Sequence, residues 1–283
     1  AGNEEVFLDN WAFQYRYDGL QRMTAKKVPG AGWMHMVYDH RDRLVLSQDA
    51  NQREAGRWLF TKYDHFNRPV MSGWYESSQS REALQDMVEE QVGKADGFAW
   101  FESAGEGLFG YDNRSFPRVG DERNILAVTY YDRYAFIEDW GAAYQYKTPP
   151  GPYPDDRLDI VRGRVTGTMM RILESDDGIR NASWYDEKYR VVQTVRSNHL
   201  GGTDRTFIEY DFTGRVLATR TIHSVTGQPD RMIEEHFEYD HAGRLLRHGH
   251  SLGQAAVLAT RRGVEVLENG LKKTGGAGQG DAG

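Results

Sequence analysis

The feature that most constrains this chain is a short frame that recurs along it, a Tyr-Asp pair followed by an Arg five residues after the Tyr. Eight of the 16 Tyr are followed by Asp, whereas the 23 Asp among 283 residues predict about one such pair by chance. Self-similarity of this kind indicates a repeat architecture, which has to be recognised before any other feature is interpreted. Six copies keep all three residues: Tyr17, Asp18 and Arg22; Tyr38, Asp39 and Arg43; Tyr63, Asp64 and Arg68; Tyr185, Asp186 and Arg190; Tyr210, Asp211 and Arg215; Tyr239, Asp240 and Arg244.

Each copy has the pattern of a β-hairpin corner. Before the Asp, apolar residues alternate with polar ones, as in Met34, Met36 and Tyr38, which is typical of a half-buried strand. The Asp side chain can accept a hydrogen bond from a backbone N–H two residues later and so begin a turn. Four of the six residues before the Arg are Gly, Asn or Asp, which tolerate a left-handed backbone and close a type I turn with a bulge. These six residues are Gln21, Asp42, Asn67, Tyr189, Gly214 and Gly243.

The spacing of the copies predicts how they assemble. Successive Tyr are 21 and 25 residues apart in the first three copies, and 25 and 29 apart in the last three. Two strands of about 5–6 residues and two connections fill such a period. Because a lone hairpin is at best marginally stable, we expect successive copies to pair edge to edge, with the Tyr side chains in a column on one face. Two interpretations of the Arg stay open: a bond to the Asp or to a neighbouring turn carbonyl, and a solvated charge.

The frame resembles the YD repeat of the RHS-repeat proteins, a family of large bacterial surface and toxin-delivery proteins whose animal relatives are the teneurins. Two longer stretches are similar to a subgroup of long bacterial RHS-repeat proteins, residues 41–46 continuing through 58–64, and residues 198–205 leading into Tyr210. The resemblance covers residues 11–75 and 163–248 well. It implies a mainly β fold in which tandem antiparallel hairpins form a curved or spiralling sheet, the wall of a shell or filament.

The repeats divide the sequence into four predicted regions. Residues 1–75 hold the first repeat block, residues 76–130 an insertion with one amphipathic helix and an aromatic loop, residues 131–250 the second block, and residues 251–283 a non-repeat tail. The Gly-rich end of the tail contains no aromatic residue, so we expect residues 270–283 to be disordered. Because the sequence begins with Ala rather than Met, we expect it to be a piece of a longer protein.

The helix of the insertion is predicted from Ser80, as N-cap, through Val92. Leu84, Met87 and Val88 fall on one face of this helix, which we expect to cover a sheet edge or to pack on the apolar face of the sheet.

Two features lie between the repeat blocks. Tyr131 and Asp132 form a degenerate copy, with Phe136 in the place of the Arg. The Pro-rich residues 147–156 are expected to form an extended surface connection.

Composition excludes several classes of function. A net charge of −7 argues against a surface that follows nucleic-acid phosphates. The absence of Cys excludes a disulfide framework and a thiolate metal site, and no run of residues approaches the ~20 apolar positions of a spanning helix. No phosphate-loop, zinc-protease or nucleophile-elbow motif occurs, and we predict no catalytic, cofactor-binding or metal site. His248 and His250 could bind a metal with His236 only if one sheet face carried all three.

Two functions from different classes follow. The first is a non-catalytic structural scaffold, a piece of the β-repeat wall of a large secreted or cell-surface protein. The second is a carbohydrate-binding module, because an exposed aromatic ladder on a sheet offers stacking faces to sugars. If the six Tyr are buried between repeats, only surplus aromatic residues such as Trp74 or Trp140 could bind sugar.

The family resemblance also implies partners and a location. Further RHS repeats of the parent chain are the expected partners, with an encapsulated C-terminal domain or surface glycans as further candidates. The expected location is extracellular or in the cell envelope.

Overall fold

The computed structural model describes residues 2–90, 98–151, 153, 155–175 and 177–254. Within these ranges lie four helices, α1 (Gly2–Trp11), α2 (Ala50–Glu54), α3 (Arg81–Glu90) and α4 (Ile137–Trp140). Fourteen strands lie in the same ranges: β1 (Gln14–Tyr17), β2 (Met23–Lys27), β3 (Met34–Tyr38), β4 (Leu44–Gln48), β5 (Arg57–Tyr63), β6 (Pro69–Glu76), β7 (Ile125–Asp132), β8 (Val161–Arg171), β9 (Gly178–Tyr185), β10 (Val191–Ser197), β11 (Thr203–Tyr210), β12 (Val216–Ser224), β13 (Arg231–Tyr239) and β14 (Leu245–Gln254).

The strands form an antiparallel sheet whose order follows the chain from β1 to β14 in the described residues. Each full Tyr-Asp-Arg frame lies at the tight turn of a hairpin, with the Tyr ending one strand and the Arg preceding the next. The residue before the Arg has a positive φ in every copy, from 57° at Asp42 to 92° at Gly214. The strand register shifts at the Tyr, for example between Val37 and Tyr38. The predicted fold class, mainly β with tandem antiparallel hairpins, and the bulged turn are confirmed.

The chain divides into two compact units. Unit 1 comprises Ala1–Ala142 and Asp159–Ala182, and unit 2 comprises Ala143–Leu158 and Ser183–Gly283. The four regions predicted from the sequence stay a prediction. The strand β14 continues through Gln254, and the predicted disorder of residues 270–283 falls outside the described residues.

In unit 1 the helix α3 packs on the sheet. The Ser80 hydroxyl accepts a hydrogen bond from the Ala83 N–H (3.2 Å), and Leu84 and Val88 are buried, as predicted. The Gln85 amide accepts from the Tyr38 N–H (3.0 Å) and donates to the Tyr38 carbonyl (2.8 Å), so the helix satisfies backbone groups at the end of β3. The predicted end of the helix at Val92 lies outside the described residues.

Side chains of the described residues 98–124 cover the buried face of β5 and β6. Trp58, Phe60 and Lys62 alternate on this face and are all buried. The chain approaches closely at Gly73, where a Cβ would lie 2.1 Å from the Asn124 carbonyl oxygen. Glycine at this position therefore lets the covering residues return to the sheet ahead of β7.

In unit 2 part of the predicted surface connection packs against the sheet. Tyr153 is buried and contacts Phe207, and the Tyr146 ring lies 5.8 Å from the Trp184 ring. Pro149 is also buried, whereas Lys147, Thr148, Gly151, Asp155 and Asp156 are exposed, so most of the described residues of this connection lie at the surface. The physical reason for the buried part is that the β-sheet needs a cover for its apolar face, to which Tyr153 contributes.

Three of the four described helices were not predicted. The sequence contains a signal for the short α2, a capping box at its N-terminus. Asp49 accepts a hydrogen bond from the Gln52 N–H, and the Gln52 side chain accepts one from the Asp49 N–H, each at 2.8 Å. Among the described residues no helix is long and apolar enough to cross a membrane.

Truncation of a fully buried side chain tests how much the covered face contributes to the stability of unit 1. Leu46 is fully buried in β4, whereas Leu20 in the first corner is 71% exposed. We expect Leu46→Ala to lower the free energy of unfolding by about 2–5 kcal/mol because it leaves a cavity. Leu20→Ala should change it by less than about 0.5 kcal/mol. Urea unfolding followed by Trp fluorescence measures both values, and equal losses would contradict the buried placement of Leu46.

Candidate functional site

Each corner is built around one Asp side chain. In the Tyr38 corner, Oδ1 of Asp39 accepts hydrogen bonds from the backbone N–H groups of Arg41 (2.9 Å) and Arg43 (3.0 Å). Oδ2 of Asp39 accepts a third hydrogen bond from Nε of Arg43 (2.7 Å). The carboxylate thereby closes the turn and orients the Arg at the same time. The bonds from the Arg backbone N–H and Nε recur in the five other pairs: Asp18–Arg22, Asp64–Arg68, Asp186–Arg190, Asp211–Arg215 and Asp240–Arg244.

The oriented Arg reaches the next corner along the sheet. Nη1 of Arg43 donates to the Asp64 carbonyl (3.4 Å), and the guanidinium carbon lies 4.9 Å from the centre of the Tyr63 ring. A guanidinium over an aromatic face is attracted by the ring quadrupole, and more strongly when it is withdrawn from water. The same contacts join Arg22 to Asp39 and Tyr38, Arg190 to Asp211 and Tyr210, and Arg215 to Asp240 and Tyr239.

The Tyr of the next corner completes the connection with its hydroxyl. The hydroxyl of Tyr63 donates to the carbonyl of Leu44, the residue directly after Arg43, at 2.9 Å. Tyr38 donates in the same way to the Met23 carbonyl, and Tyr210 to the Val191 carbonyl. We call this set of contacts the inter-repeat clamp: the Asp–Arg pair of one corner bound to the Tyr ring, Tyr hydroxyl and turn carbonyl of the next.

The clamp decides between the two interpretations of the Arg. In the copies at Arg22, Arg43, Arg190 and Arg215 the side chain bonds both to its own Asp and to the next corner, so it is not simply a solvated charge. The observed arrangement of the Tyr rings differs from the predicted column in one respect. Corresponding Tyr are two strands apart, about 9.5 Å, so a guanidinium fills the space between successive rings.

One strand register holds at the five junctions that follow a corner with an Arg. At each of them the residue three after the Arg is opposite the residue three before the next Tyr. The observed pairs are Ala25 with His35, Leu46 with Phe60, Met71 with Val128, Gln193 with Phe207, and Ala218 with His236. A shift by one residue would turn each apolar side chain to the other face, so register and clamp support each other.

The degenerate copy at Tyr131 keeps a modified clamp. Arg68 lies 4.2 Å from the Tyr131 ring centre, and Tyr131 donates to the Pro69 carbonyl (3.2 Å). In place of a turn carbonyl, both oxygens of Asp132 accept from Arg68, at 3.1 and 2.7 Å. The hydrogen bonds that the Arg68 guanidinium donates to Asp132, followed by the one to Asp64, raise its pKa. The sheet is thus held at the point where residues 133–160 leave it.

A buried ion pair attaches the covering residues to the sheet in unit 1. Nζ of Lys62 on β5 donates to Oε1 of Glu102 (2.9 Å), and both side chains are fully buried. The Ser115 hydroxyl and N–H donate to the same oxygen at 2.6 and 3.0 Å. Burial lowers the pKa of Lys62, and the charge of Glu102 offsets part of this effect. Both side chains are withdrawn from solvent, and the pair attaches the segment that contains Glu102 and Ser115 to β5.

Unit 2 uses buried polar side chains for the same purpose. The Gln193 amide accepts from the Lys147 N–H (3.2 Å) and donates to the Lys147 carbonyl (2.8 Å). Arg205 donates to Gln193 and to the Ala143 carbonyl, and burial lowers its pKa to about 10. Arg220 pairs with Glu234 on the next strand and donates to the Pro150 carbonyl (3.1 Å). These bonds hold residues 143–153 across the strands.

Sequence reasoning did not identify these buried polar residues. Lys62, Gln193 and Arg205 each stand at an inward position of a strand, where an apolar residue is normal. The signal that the sequence offered was therefore a polar residue at a strand position that faces inward. Its partner could not be read from the sequence, since Glu102 is 40 residues from Lys62 and unrelated to the repeat.

A cleft of about 570 Å³ lies in unit 1 beside the degenerate corner. It is lined by the turn of Asp64 to Arg68, by residues 102–105 and by the chain that follows Tyr130. Its strongest charges bond to one another, because Arg68 is paired with Asp64 and Asp132. Its described lining also carries His65, Glu138 and Asp139 beside the aromatic rings of Tyr130 and Phe136.

The His residues considered for a metal do not share one face. His248 is opposite Phe237, His250 is opposite Glu235, and His236 is opposite Gly249, so His236 points to the other side of the sheet. No group of three His, Asp or Glu side chains in the described ranges could hold a metal ion.

Two of the surplus aromatic residues, Trp74 and Trp140, are engaged, whereas Trp11, Phe13 and Phe212 are largely exposed. Arg57 lies 4.2 Å from the centre of the Trp74 ring, and Trp140 packs edge-on against Phe136 at 4.6 Å. Guanidinium groups lie against the rings of Tyr38, Tyr63, Tyr210 and Tyr239, whereas Tyr17 is largely exposed. Four of the six corner Tyr residues therefore use their rings for contacts between repeats.

Comparisons with known proteins give a weak structural likeness. No protein-family model matches the chain, and no curated protein matches it. It is similar to chains of the solved structures "Crystal Structure of TcdB2-TccC3-TEV" (13% identity, TM-score 0.37) and "Crystal Structure of TcdB2-TccC3 without hypervariable C-terminal region" (15% identity, TM-score 0.36). Each match covers 84% of this chain and 10% of the other. A likeness at this TM-score carries no argument about function, and the RHS resemblance stays a prediction.

Loss of one clamp Arg should destabilise the chain strongly. Arg43 and Asp39 have side chains that are only 9% and 6% exposed, so Arg43→Ala leaves a buried carboxylate unpaired. We expect a loss of about 3–5 kcal/mol in the free energy of unfolding. Arg43→Lys should recover only part of this loss, since an ammonium cannot bond two groups in a fixed fork. Arg123→Ala, at a 77% exposed Arg paired within its own loop, is the control and should be nearly neutral.

The Tyr hydroxyl is tested by a matched pair of Phe variants. Tyr63→Phe removes the hydrogen bond to Leu44, and we expect a loss of about 0.5–1.5 kcal/mol by urea unfolding. Tyr17→Phe removes a hydroxyl that has no hydrogen bond in the described residues, and it should change little. Equal effects of the two changes would contradict the assigned role of the hydroxyl.

Acid should weaken the corners of unit 2. The Thr213 hydroxyl (2.6 Å), followed by the backbone N–H and guanidinium of Arg215, lowers the pKa of Asp211 well below its ordinary 3.8. The backbone N–H and guanidinium of Arg244 lower the pKa of Asp240. Since the folded chain binds these protons more weakly than the unfolded chain, their stabilisation is complete above the ordinary pKa and is lost as the pH falls below it.

Thermal unfolding measured from pH 6 down to pH 2.5 checks this sign. The Tm of the unmodified chain should fall below about pH 4. Asp211→Asn should begin with a lower Tm at pH 6 and fall less steeply, because it has no proton to gain at this corner. Parallel curves for the two proteins would show that Asp211 does not contribute to the acid sensitivity.

Proposed function

We propose that this chain is a non-catalytic structural scaffold, a piece of the β-repeat wall of a large RHS-type protein. In this proposal the wall is secreted or exposed at the cell surface, and it encloses or displays something carried elsewhere on the parent protein. Further repeats of the parent chain are its partners. The recurring chemistry of the frame is then the chemistry of assembly between repeats, and no reaction is assigned to it.

The observation that carries the proposal is the use of the signature residues. At the junctions after Arg22, Arg43 and Arg190, the Arg, its Asp and the next Tyr bond to one another across the repeat boundary. A residue set that served a ligand would instead leave side chains directed at a pocket. The repeat of one contact at a constant register supports a nearest-neighbour wall, which gains stability from each added copy.

The carbohydrate-binding alternative receives less support. It requires aromatic faces open to solvent, and in the clamps at Tyr38, Tyr63 and Tyr210 the ring lies against a guanidinium and the hydroxyl is bonded. A glycan-array screen of the purified chain tests it directly. We expect no binder above background, and a reproducible saccharide ligand would replace the scaffold proposal with this alternative.

The scaffold proposal is tested by measuring which hairpins are destabilised when one clamp Arg is removed. Arg190 joins the β9–β10 corner to the β11–β12 corner, and Arg215 joins the latter to the β13–β14 corner. We expect Arg190→Ala to raise amide hydrogen exchange in β9 to β12 and to leave β13 and β14 less affected. Arg215→Ala, the matched variant, should shift the effect by one hairpin, to β11 through β14. This local response is what a nearest-neighbour repeat array predicts.

A uniform rise in exchange over unit 2 in both variants would contradict the repeat-wall proposal and indicate one indivisible core. Thermal-shift measurements with nucleotides, divalent cations and small saccharides give an independent check. A ligand that binds the folded chain raises Tm with its concentration, so a clear rise would indicate a binding or catalytic function instead.

A further inference from the structure

The first and last corners carry complementary halves of the inter-repeat clamp. At β1, an edge strand of the described sheet, Tyr17 offers a ring, a hydroxyl and a turn but receives no Arg. Its side chain is 58% exposed, and its hydroxyl has no hydrogen bond in the described residues. This corner is the receiving half of a clamp.

The opposite edge carries the donating half. Nε of Arg244 bonds Asp240 at 2.7 Å, as in every other corner. Its side chain is nevertheless 78% exposed, against 9% for Arg43 inside the array. The described residues place no Tyr ring over Arg244, and the strand that follows it, β14, is the last of the sheet.

We propose that β14 of one copy of this chain pairs antiparallel with β1 of a second copy. Arg244 then lies over Tyr17 of the second copy and donates to its Asp18 carbonyl, and that Tyr17 hydroxyl donates to the Leu245 carbonyl. Each of these contacts repeats one that the internal clamps already make. The proposal thus extends an interface found within the chain to a contact between chains.

The constant register of the internal junctions gives the register of this contact. The residue three after Arg244 is Arg247, and the residue three before Tyr17 is Gln14, so these two are opposite. Leu246, 68% exposed, is then opposite Tyr15, 49% exposed. Cross-strand contact between these two side chains would remove apolar surface from water on both edges. A register shifted by one residue would put Leu246 opposite Gln14 or Arg16 instead.

A second copy is the occupant that the structure supports, because the described residues of one copy carry both halves of the clamp. Exposed edge strands with apolar side chains readily accept another strand, and neither β1 nor β14 contains a Pro to prevent it. The contact joins two different surfaces, so it is heterologous, and copies add head to tail until a ring closes or a longer assembly forms. The inference rests on the clamp geometry and does not require the scaffold function.

A register-specific cross-link tests the proposal, and the chain contains no Cys that would interfere. Gln14→Cys and Arg247→Cys are introduced together into the full chain. Directly opposite residues on antiparallel strands have Cα atoms about 4.5–5.5 Å apart, which suits a disulfide. We expect a ladder of disulfide-linked multimers under mild oxidation. The control pairs Gln14→Cys with His248→Cys, one residue out of register and on the other sheet face, and should cross-link about tenfold more slowly.

Light scattering on the unmodified chain over a range of concentrations gives the second measurement. We expect reversible self-association that Tyr17→Ala or Arg244→Ala weakens by about tenfold or more. Phe212→Ala and Arg123→Ala are controls of matched type, at residues 87% and 77% exposed away from both edges, and should leave the association unchanged.

Equal cross-linking of the in-register and shifted pairs, or a monomer at every concentration, overturns the proposal. Either outcome leaves the hydrogen-exchange test of the scaffold function unaffected. A failure of that test with intact cross-linking would instead remove the scaffold function and keep the assembly.

Discussion

The repeat array depends on an Arg guanidinium group that makes contacts in two successive corners. Arg43 is held by the carboxylate of its own turn and lies against the ring of the next Tyr, whose hydroxyl returns to the residue after the Arg. Order in one corner therefore requires order in its neighbour, which is how hairpins too weak to stand alone become a stable sheet. A charge can be withdrawn from water in this way only because the planar fork of Arg finds several partners together. Removal of any one partner leaves another polar group unbonded, so the clamp acts as a unit.

The second constraint is that a sheet of hairpins has an apolar face which must be covered. Neither unit uses a second sheet for this purpose; in the described residues each uses a segment that leaves the repeat and lies back across the strands. These segments have little regular structure of their own, and their position is determined by buried polar side chains on the strands. Lys62 bonds Glu102 in unit 1, and Gln193 bonds both backbone groups of Lys147 in unit 2. A buried polar group accepts only a partner in the right place, so such bonds give these irregular segments one location.

The degenerate corner shows how the array tolerates an interruption. At Tyr131 the tight turn is absent, and Asp132 itself adopts the left-handed backbone, with φ of 70°. Its carboxylate turns to Arg68 and also accepts from the Gly163 N–H at 2.6 Å, so that it bonds the preceding corner and the returning strand together. An anion has replaced the neutral carbonyl of an ordinary clamp and provides a stronger bond where the chain leaves the sheet for many residues. The entropic cost of closing a loop rises only slowly with the length of the loop. One strong contact can therefore keep the strands paired on either side of residues 133–160.

The sequence by itself determined the hairpin corners, because their information is local. The Asp that begins the turn, the left-handed residue at Asn67 or Gly214 and the Arg stand within six residues of one another, and the same spacing predicts the repeat. The sequence also suggested that the Arg bonds to the Asp or to a neighbouring turn carbonyl, but it left open that the Arg is a solvated charge. Only the tertiary structure decided that this Arg serves the following corner, that Tyr153 packs on the sheet, and that Lys62 is paired with Glu102. These contacts join residues tens of positions apart with no shared period, and whether a buried charge is satisfied depends on what the fold brings to it.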